Sequence, residues 1–86
     1  MLALLLVCGG AVVYGYFVIR WENNHRYEIR RGDAAMAAGD LSTAIEAFSG
    51  AIALREDSMI AYLRRGEAYR KRGEPESALR DFRAAS

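Results

Sequence analysis

The feature that most constrains the fold of this chain is a residue pattern that returns after 34 positions. Identical pairs include Arg31/Arg65, Gly32/Gly66, Ala34/Ala68, Gly39/Gly73, Ala44/Ala78, Phe48/Phe82 and Ala51/Ala85, and similar pairs include Asp33/Glu67, Asp40/Glu74 and Ile45/Leu79. A fixed period of this length predicts two copies of one supersecondary unit, neither of which can bury its apolar face alone. The two copies should therefore pack on each other.

Local signals within each copy predict a pair of helices, and the fold class is all-α. The predicted helices span residues 27–38, 41–54, 60–72 and 75–85. Asp40 is a good N-cap, and Pro75 suits a first helical turn, where its missing N–H leaves no bond unmade. Gly39 and Gly73 should end the preceding helices. Each copy is therefore a helix hairpin.

Residue size indicates where the helices of a hairpin cross. Gly32, Ala44 and Ala51 are small, and Phe48 is large enough to fill the space they leave. We therefore predict that Phe48 is buried against both helices of its hairpin. Phe82 should fill the same place in the second copy.

These residues resemble the tetratricopeptide repeat, over residues 25–86. The first repeat would occupy residues 27–58 and the second residues 59–86. The second repeat is expected to be incomplete and to lack a following capping helix. The first repeat departs from the family pattern at Glu28, Ala35 and Glu56. The resemblance implies an α-solenoid, and these repeats are either a fragment of a longer array or a piece stabilised by a partner.

The resemblance also implies a protein-binding groove on the first helix of each hairpin. Carried over residue by residue, the groove would be lined by Arg26, Ile29, Asp33, Met36 and Ala37, then by Ile60, Leu63, Glu67, Arg70 and Lys71. The family's clamp for C-terminal carboxylates is not expected, because Ile29 and Leu63 stand where it needs lysine. The expected partner is therefore a protein that is not recognised through its C-terminal carboxylate.

Residues 1–21 differ sharply from the rest of the chain. All 12 Lys/Arg and all 11 Asp/Glu lie from Arg20 onward, so residues 2–19 form an uninterrupted apolar or small segment. Such a segment is about long enough to cross a bilayer as a helix, and Arg20 and Trp21 would mark its edge. We predict a transmembrane helix. A cleaved signal peptide, a lipoprotein signal and a buried core helix fit the residues less well.

Residues 22–26 would connect the membrane helix to the first repeat, either with a break at Asn23 and Asn24 or as continuous helix. Arg26, Arg30 and Arg31 follow the segment and no basic side chain precedes it. This asymmetry favours a single-pass protein with cytoplasmic repeats. Within the segment, the small side chains of Cys8, Ala11 and Gly15 could form a packing face, although glycine is also common in membrane helices generally.

The residues do not predict a catalytic or metal site. His25 is the only histidine and Cys8 the only cysteine, and the two lie in different segments, so a zinc set cannot be assembled. His25 is expected to be solvated. A net charge of +1 argues against nucleic acid as a partner. No cofactor, small-molecule substrate or enzyme activity is expected.

One helix carries a concentration of basic residues: Arg64, Arg65, Arg70, Lys71 and Arg72. They form either a basic strip for an acidic partner or lipid headgroups, or a solvated face paired with Glu67, Glu74 and Glu76. Together these patterns predict a membrane-anchored interaction scaffold or assembly factor whose partners are a protein and the lipid bilayer. The alternative is a small structural subunit of a larger membrane complex, held by its transmembrane helix.

Overall fold

A computed structural model describes the backbone of residues 2–86 and the side chains of residues 6–86. Within this part the chain forms four α-helices: α1 (Leu2–Ala37), α2 (Leu41–Leu54), α3 (Met59–Lys71) and α4 (Pro75–Ala85). α1 packs on α2 and α3 on α4, and α2 and α3 join the two hairpins. The all-α fold with two helix hairpins is therefore confirmed.

The first helix is much longer than the others. It contains 36 residues, and at 1.5 Å per residue it is about 54 Å long, so it accounts for most of the 62 Å extent of the molecule. Of the two alternatives for residues 22–26, the structure shows the continuous helix, without a break at Asn23 and Asn24. Residues 20–27 contain no proline or glycine, so the backbone hydrogen bonds continue from the N-terminal segment into the first hairpin.

The predicted helix ends are confirmed by their backbone conformations. Gly39 and Gly73 have φ values of 77° and 85°, a left-handed conformation that favours glycine at the end of a helix. Asp40 caps α2, since its carboxylate accepts a hydrogen bond from the Thr43 N–H at 3.2 Å. Glu74, which occupies the equivalent position, forms an ion pair with Arg72 instead. Pro75 is in the first turn of α4.

Phe48 is the centre of the core, as predicted. Its side chain is fully buried, and it packs in one cluster with Ala35, Ala44, Ile45 and Ala68. These residues come from α1, α2 and α3, so the cluster joins the first hairpin to the second. A Cβ added at Gly32 would lie 2.3 Å from Phe48 Cε1. Glycine at this position therefore allows α1 to approach the aromatic ring.

The N-terminal part of α1 extends beyond the hairpins. Within the part of the chain that the structure describes, no helix is long and apolar enough to cross a membrane. The membrane span predicted for residues 2–19 includes residues 2–5, whose side chains lie outside the described part of the chain. Cys8, Ala11 and Gly15 lie on this part of α1, and a Cβ added at Gly15 would meet no described neighbouring atom within 4 Å.

Candidate protein-binding groove

The first helices of the two hairpins, α1 and α3, present two neighbouring depressions. Packing against α2 places both helices: Gly32 admits the Phe48 ring on one side, and Ala68 joins the same core from the other. Within the second hairpin, Gly66 admits the Phe82 ring in the same way, at 2.6 Å for an added Cβ. α1 and α3 therefore use these faces to contact α2 and α4, and their other faces can form a surface.

The first depression is mostly charged and has a volume of about 380 Å³. It is lined by Asp33, Met36, Ala37, Arg64, Glu67 and Lys71. The Arg64 guanidinium spans the gap between the helices, with its Nη1 atom 3.3 Å from Asp33 Oδ1. Both side chains are about 40% exposed, so solvent screens the pair and it contributes at most about 1 kcal/mol to stability. A charged ligand group could therefore compete for either side chain at little cost to the fold.

The second depression is mostly apolar and has a volume of about 300 Å³. It is lined by His25, Arg26, Ile29, Arg30 and Ile60. Ile29 packs partly on the core, whereas Ile60 is 44% exposed. Apolar surface bordered by two arginines suits a side chain that is apolar along its length and carries a polar or acidic end.

The structure therefore brings together most, but not all, of the predicted groove residues. Asp33, Met36, Glu67 and Lys71 line the charged depression, and Arg26, Ile29 and Ile60 line the apolar one. Leu63 and Arg70 lie outside both. Leu63 belongs instead to a separate apolar surface with Met59, Ile60, Phe82, Ala85 and Ser86.

Three lining residues that the sequence analysis missed are His25, Arg30 and Arg64. The two arginines are separated by the repeat period of 34 residues, so they are equivalent members of the two hairpins. Arg30 also follows Arg26 by four residues and precedes Asp33 by three, the spacing of one helical face. This combination of period and spacing was the signal that could have identified the two arginines.

The prediction that His25 is solvated is wrong. Only 7% of the residue is exposed, and its Nε2 atom shares a hydrogen bond of 2.8 Å with Ser58 Oγ. Ser58 is also the N-cap of α3 and accepts from the Ala61 N–H at 3.4 Å. The turn between α2 and α3 carries Ser58 back to α1, across 33 residues of sequence. Only the tertiary fold brings these two side chains together.

The basic strip proposed for α3 is not formed either, because the arginines of that helix have different partners. Arg65 binds the buried Asp81 carboxylate through two hydrogen bonds, of 2.7 and 2.8 Å, and reaches Ser49 at 3.2 Å. The hydrogen bond to Asp81 raises the pKa of the Arg65 guanidinium above its usual value. Arg72 pairs with Glu74, as the alternative interpretation expected. Arg70 and Lys71 stay exposed.

Within the described residues, no group of three His, Cys, Asp or Glu side chains lies close enough to hold a metal ion. The expected absence of a cofactor and of enzyme activity stays a prediction. The groove offers binding chemistry: two carboxylates, several cations and an apolar surface on rigid helices.

Comparison with known proteins agrees with this geometry. No curated protein sequence matches the chain. The family model for the tetratricopeptide repeat matches residues 29–86, which include most of the first hairpin and all of the second. Repeats of this family generally mediate protein–protein interaction. Because the match covers more than half of the sequence and the helices pair as the repeat requires, the chain belongs to the tetratricopeptide-repeat family.

Proposed function

We propose that this protein is a membrane-anchored scaffold or assembly factor that captures a segment of a partner protein. In this proposal residues 2–19 attach the chain to a bilayer, and the groove on α1 and α3 binds the partner. The single observation that carries the binding role is the pair of adjacent depressions on one face, one charged and one apolar.

The two depressions favour a partner segment with mixed chemistry. An apolar side chain would fit over Ile29 and Ile60, and charged side chains would meet Glu67, Lys71 and the exposed Asp33–Arg64 pair. Complementary charges increase association rate and specificity more than affinity. We therefore expect binding that weakens as salt concentration rises.

Support for the membrane anchor comes from the sequence. Residues 2–19 contain no charged side chain, and the cation and indole of Arg20 and Trp21 follow directly. α1 continues without a break from this segment into the groove. If the segment is embedded, Arg26 lies about 10 Å beyond Ile19 along the same helix, at 1.5 Å per residue. The groove would then be held close to the membrane surface.

The proposal places the repeats in the cytoplasm, on the basis of the arginines that follow the segment. It assigns no catalytic role to any residue. The bound ligand is a protein rather than a nucleic acid or a small molecule.

Reversing one charge at a time in the groove tests the binding role. Lys71→Glu changes a side chain of the charged depression, and Arg70→Glu makes the same change at the neighbouring exposed residue outside it. Each full-length variant is crosslinked in native membranes, and the captured proteins are identified by mass spectrometry. We expect Lys71→Glu to lose partners that Arg70→Glu and the unmodified chain retain.

A second exchange separates this proposal from the structural-subunit alternative. Residues 2–19 are replaced by an unrelated membrane helix, and capture is measured again. If this exchange removes the partners while Lys71→Glu keeps them all, the scaffold proposal fails. The Cys8–Ala11–Gly15 region of α1 would then be the surface that docks the protein in a larger complex.

A further inference from the structure

A cavity lies where the turn between α2 and α3 meets α1. Its volume is about 440 Å³, and it is lined by Val18, Trp21 and Glu22 of α1 and by residues 53–57, which end α2 and begin the turn. The three residues of α1 have the spacing of one helical face. The cavity shares no lining residue with either groove depression, so it is a separate feature of the molecule.

Two side-chain contacts hold the turn against α1. Arg55 Nη1 lies 3.2 Å from Glu22 Oε1, and Ser58 Oγ lies 2.8 Å from His25 Nε2. Glu22 and His25 are three residues apart, so the turn is attached at neighbouring positions of one helical face. The ion pair is half-exposed and the hydrogen bond is buried, so the hydrogen bond contributes more to keeping the two walls of the cavity together.

The cavity carries an excess of negative charge beside an aromatic ring. Three carboxylates, those of Glu22, Glu56 and Asp57, line it together with the single guanidinium of Arg55. That guanidinium pairs with Glu22 at 3.2 Å and approaches Asp57 at 3.8 Å. The indole of Trp21 is 55% exposed, and the face of an indole attracts cations. This combination favours a ligand that carries a positive charge.

The cavity also crosses the end of the uncharged N-terminal segment. Val18 belongs to that segment, whereas Glu22 lies three residues, or about 4.5 Å along the helix, beyond Ile19. If residues 2–19 are embedded in a bilayer, the apolar wall at Val18 is level with acyl chains and the carboxylates are level with headgroups. A lipid can contact both walls, whereas a water-soluble cation can contact only the charged one.

We propose that this cavity binds the headgroup of a phospholipid that has a primary ammonium, as phosphatidylethanolamine does. This inference rests on the membrane anchor proposed above. The ammonium lies between the Trp21 indole and the carboxylates of Glu56 and Asp57, and an acyl chain lies along Val18. The lipid phosphate accepts a hydrogen bond from Arg55, because a guanidinium carries five N–H donors and can bind a second acceptor.

The same chemistry predicts which headgroups are rejected. A primary ammonium donates up to three hydrogen bonds, and such bonds to a carboxylate are strengthened by charge. The quaternary ammonium of phosphatidylcholine has no N–H, so it keeps only the attraction to the indole and the net charge. Phosphatidylglycerol has no cation, and its negative charge is repelled by the excess of carboxylates. We therefore expect a preference for ethanolamine over choline, and for choline over glycerol.

Trp21 is the only tryptophan of the chain, so its fluorescence reports on this cavity. The full-length protein is reconstituted in phosphatidylcholine vesicles that contain the same minor fraction of one brominated lipid: phosphatidylethanolamine, phosphatidylcholine or phosphatidylglycerol. The bromines are placed near the headgroup end of the acyl chains, where they quench a neighbouring indole. Brominated phosphatidylethanolamine should quench as strongly as an about fivefold larger fraction of brominated phosphatidylcholine, as a partly exposed ion pair allows.

A pair of double variants tests whether the cavity selects the lipid. Glu56→Gln with Asp57→Asn should remove most of the preference for ethanolamine. Quenching by brominated phosphatidylcholine, which matches the surrounding lipid, should not change. Glu46→Gln with Glu76→Gln is the matched control, because it removes two negative charges from exposed residues outside the cavity. This control should keep the full preference.

Three results would overturn the proposal. Equal quenching of the unmodified protein by all three brominated lipids would overturn it while leaving the anchor in place, and the acidic cavity would then suit a basic side chain of a protein partner. Equal loss of preference in the two double variants would assign the selection to the overall charge rather than to the cavity. No quenching by any brominated lipid would overturn the anchor and this proposal together.

Discussion

The ring of Phe48 lies so close to Gly32 that a Cβ added to the glycine would be 2.3 Å from Cε1. No side chain can be accommodated at that distance unless the ring or the helix moves. The ring is fully buried at the centre of the core, so it has little space into which to move. The distance between α1 and α2 is therefore set by one small and one large residue.

Gly32→Ala should destabilise the protein by about 1–3 kcal/mol, the usual cost of overpacking a core. The measurement is urea unfolding of the full-length protein in micelles, followed by circular dichroism. Gly50→Ala is the matched control, because an added Cβ there would meet the side chain of Glu28 at 3.1 Å, and that side chain can move. Since alanine favours a helix interior over glycine, this control should be neutral or stabilising. Equal losses in both variants would contradict the steric account.

Phe48→Ala should be more damaging than Phe82→Ala, although both aromatics occupy the same place in their repeats. Truncation of a fully buried phenylalanine costs about 3–5 kcal/mol. Phe82 is only half-buried and borders the exposed apolar surface with Met59 and Leu63, so less buried area is lost. The same unfolding measurement compares the two variants. A loss at Phe82 as large as that at Phe48 would contradict this difference in burial.

Asp81→Asn should destabilise the protein by about 3 kcal/mol. Asp81 is 4% exposed and accepts hydrogen bonds from the Nε and Nη2 atoms of Arg65, so removal of its charge leaves a partly buried cation without its partner. The exposed Arg72–Glu74 pair provides the comparison, because Glu74→Gln removes a carboxylate that water already screens. Comparable unfolding midpoints for the two variants would show that the Arg65–Asp81 pair is not a structural anchor.

Stability should fall in acid partly through Asp40. The hydrogen bond from Thr43 lowers the pKa of the Asp40 carboxyl in the folded protein below its unfolded value of about 3.9. A lowered folded pKa adds stability above the unfolded value, and this stability is lost as the pH falls through the folded value. Asp40→Asn keeps a side-chain acceptor for the helix N-terminus but cannot titrate. Unfolding measured from about pH 5 to pH 2 should therefore show a shallower acid loss in Asp40→Asn than in the unmodified chain, and parallel profiles would exclude this role.

The proposed anchor is tested by alkaline carbonate extraction of membranes. The unmodified full-length chain should stay in the membrane pellet. Val12→Arg together with Val13→Arg should release it, because a charged side chain near the centre of a membrane helix costs about 2.5–3.5 kcal/mol on insertion scales. Tyr27→Arg places a cation on the same helix outside the segment and should leave the protein in the pellet. Release of the unmodified chain would contradict the anchor.

Much of the fold could be predicted because its signals are local or strictly periodic. Gly39, Asp40 and Pro75 mark helix ends through their own preferences, and the large side chain of Phe48 among small residues indicated a core position. The groove was predicted in part from the resemblance to the family, carried over residue by residue. Arg30 and Arg64 were missed although they share the period, because the residues carried over from the family did not include their position.

The sequence by itself determined the two helix hairpins, their boundaries and the burial of Phe48, because helix caps and apolar spacing act over a few residues. Only the tertiary structure decided that His25 is buried on Ser58, that Arg65 binds Asp81 and Ser49, and that Leu79 is exposed where Ile45 is covered. Such pairings depend on which helices pack side by side. Residues that are equivalent in the repeat therefore have different neighbours, because α3 covers the first hairpin while the same surface of the second stays open.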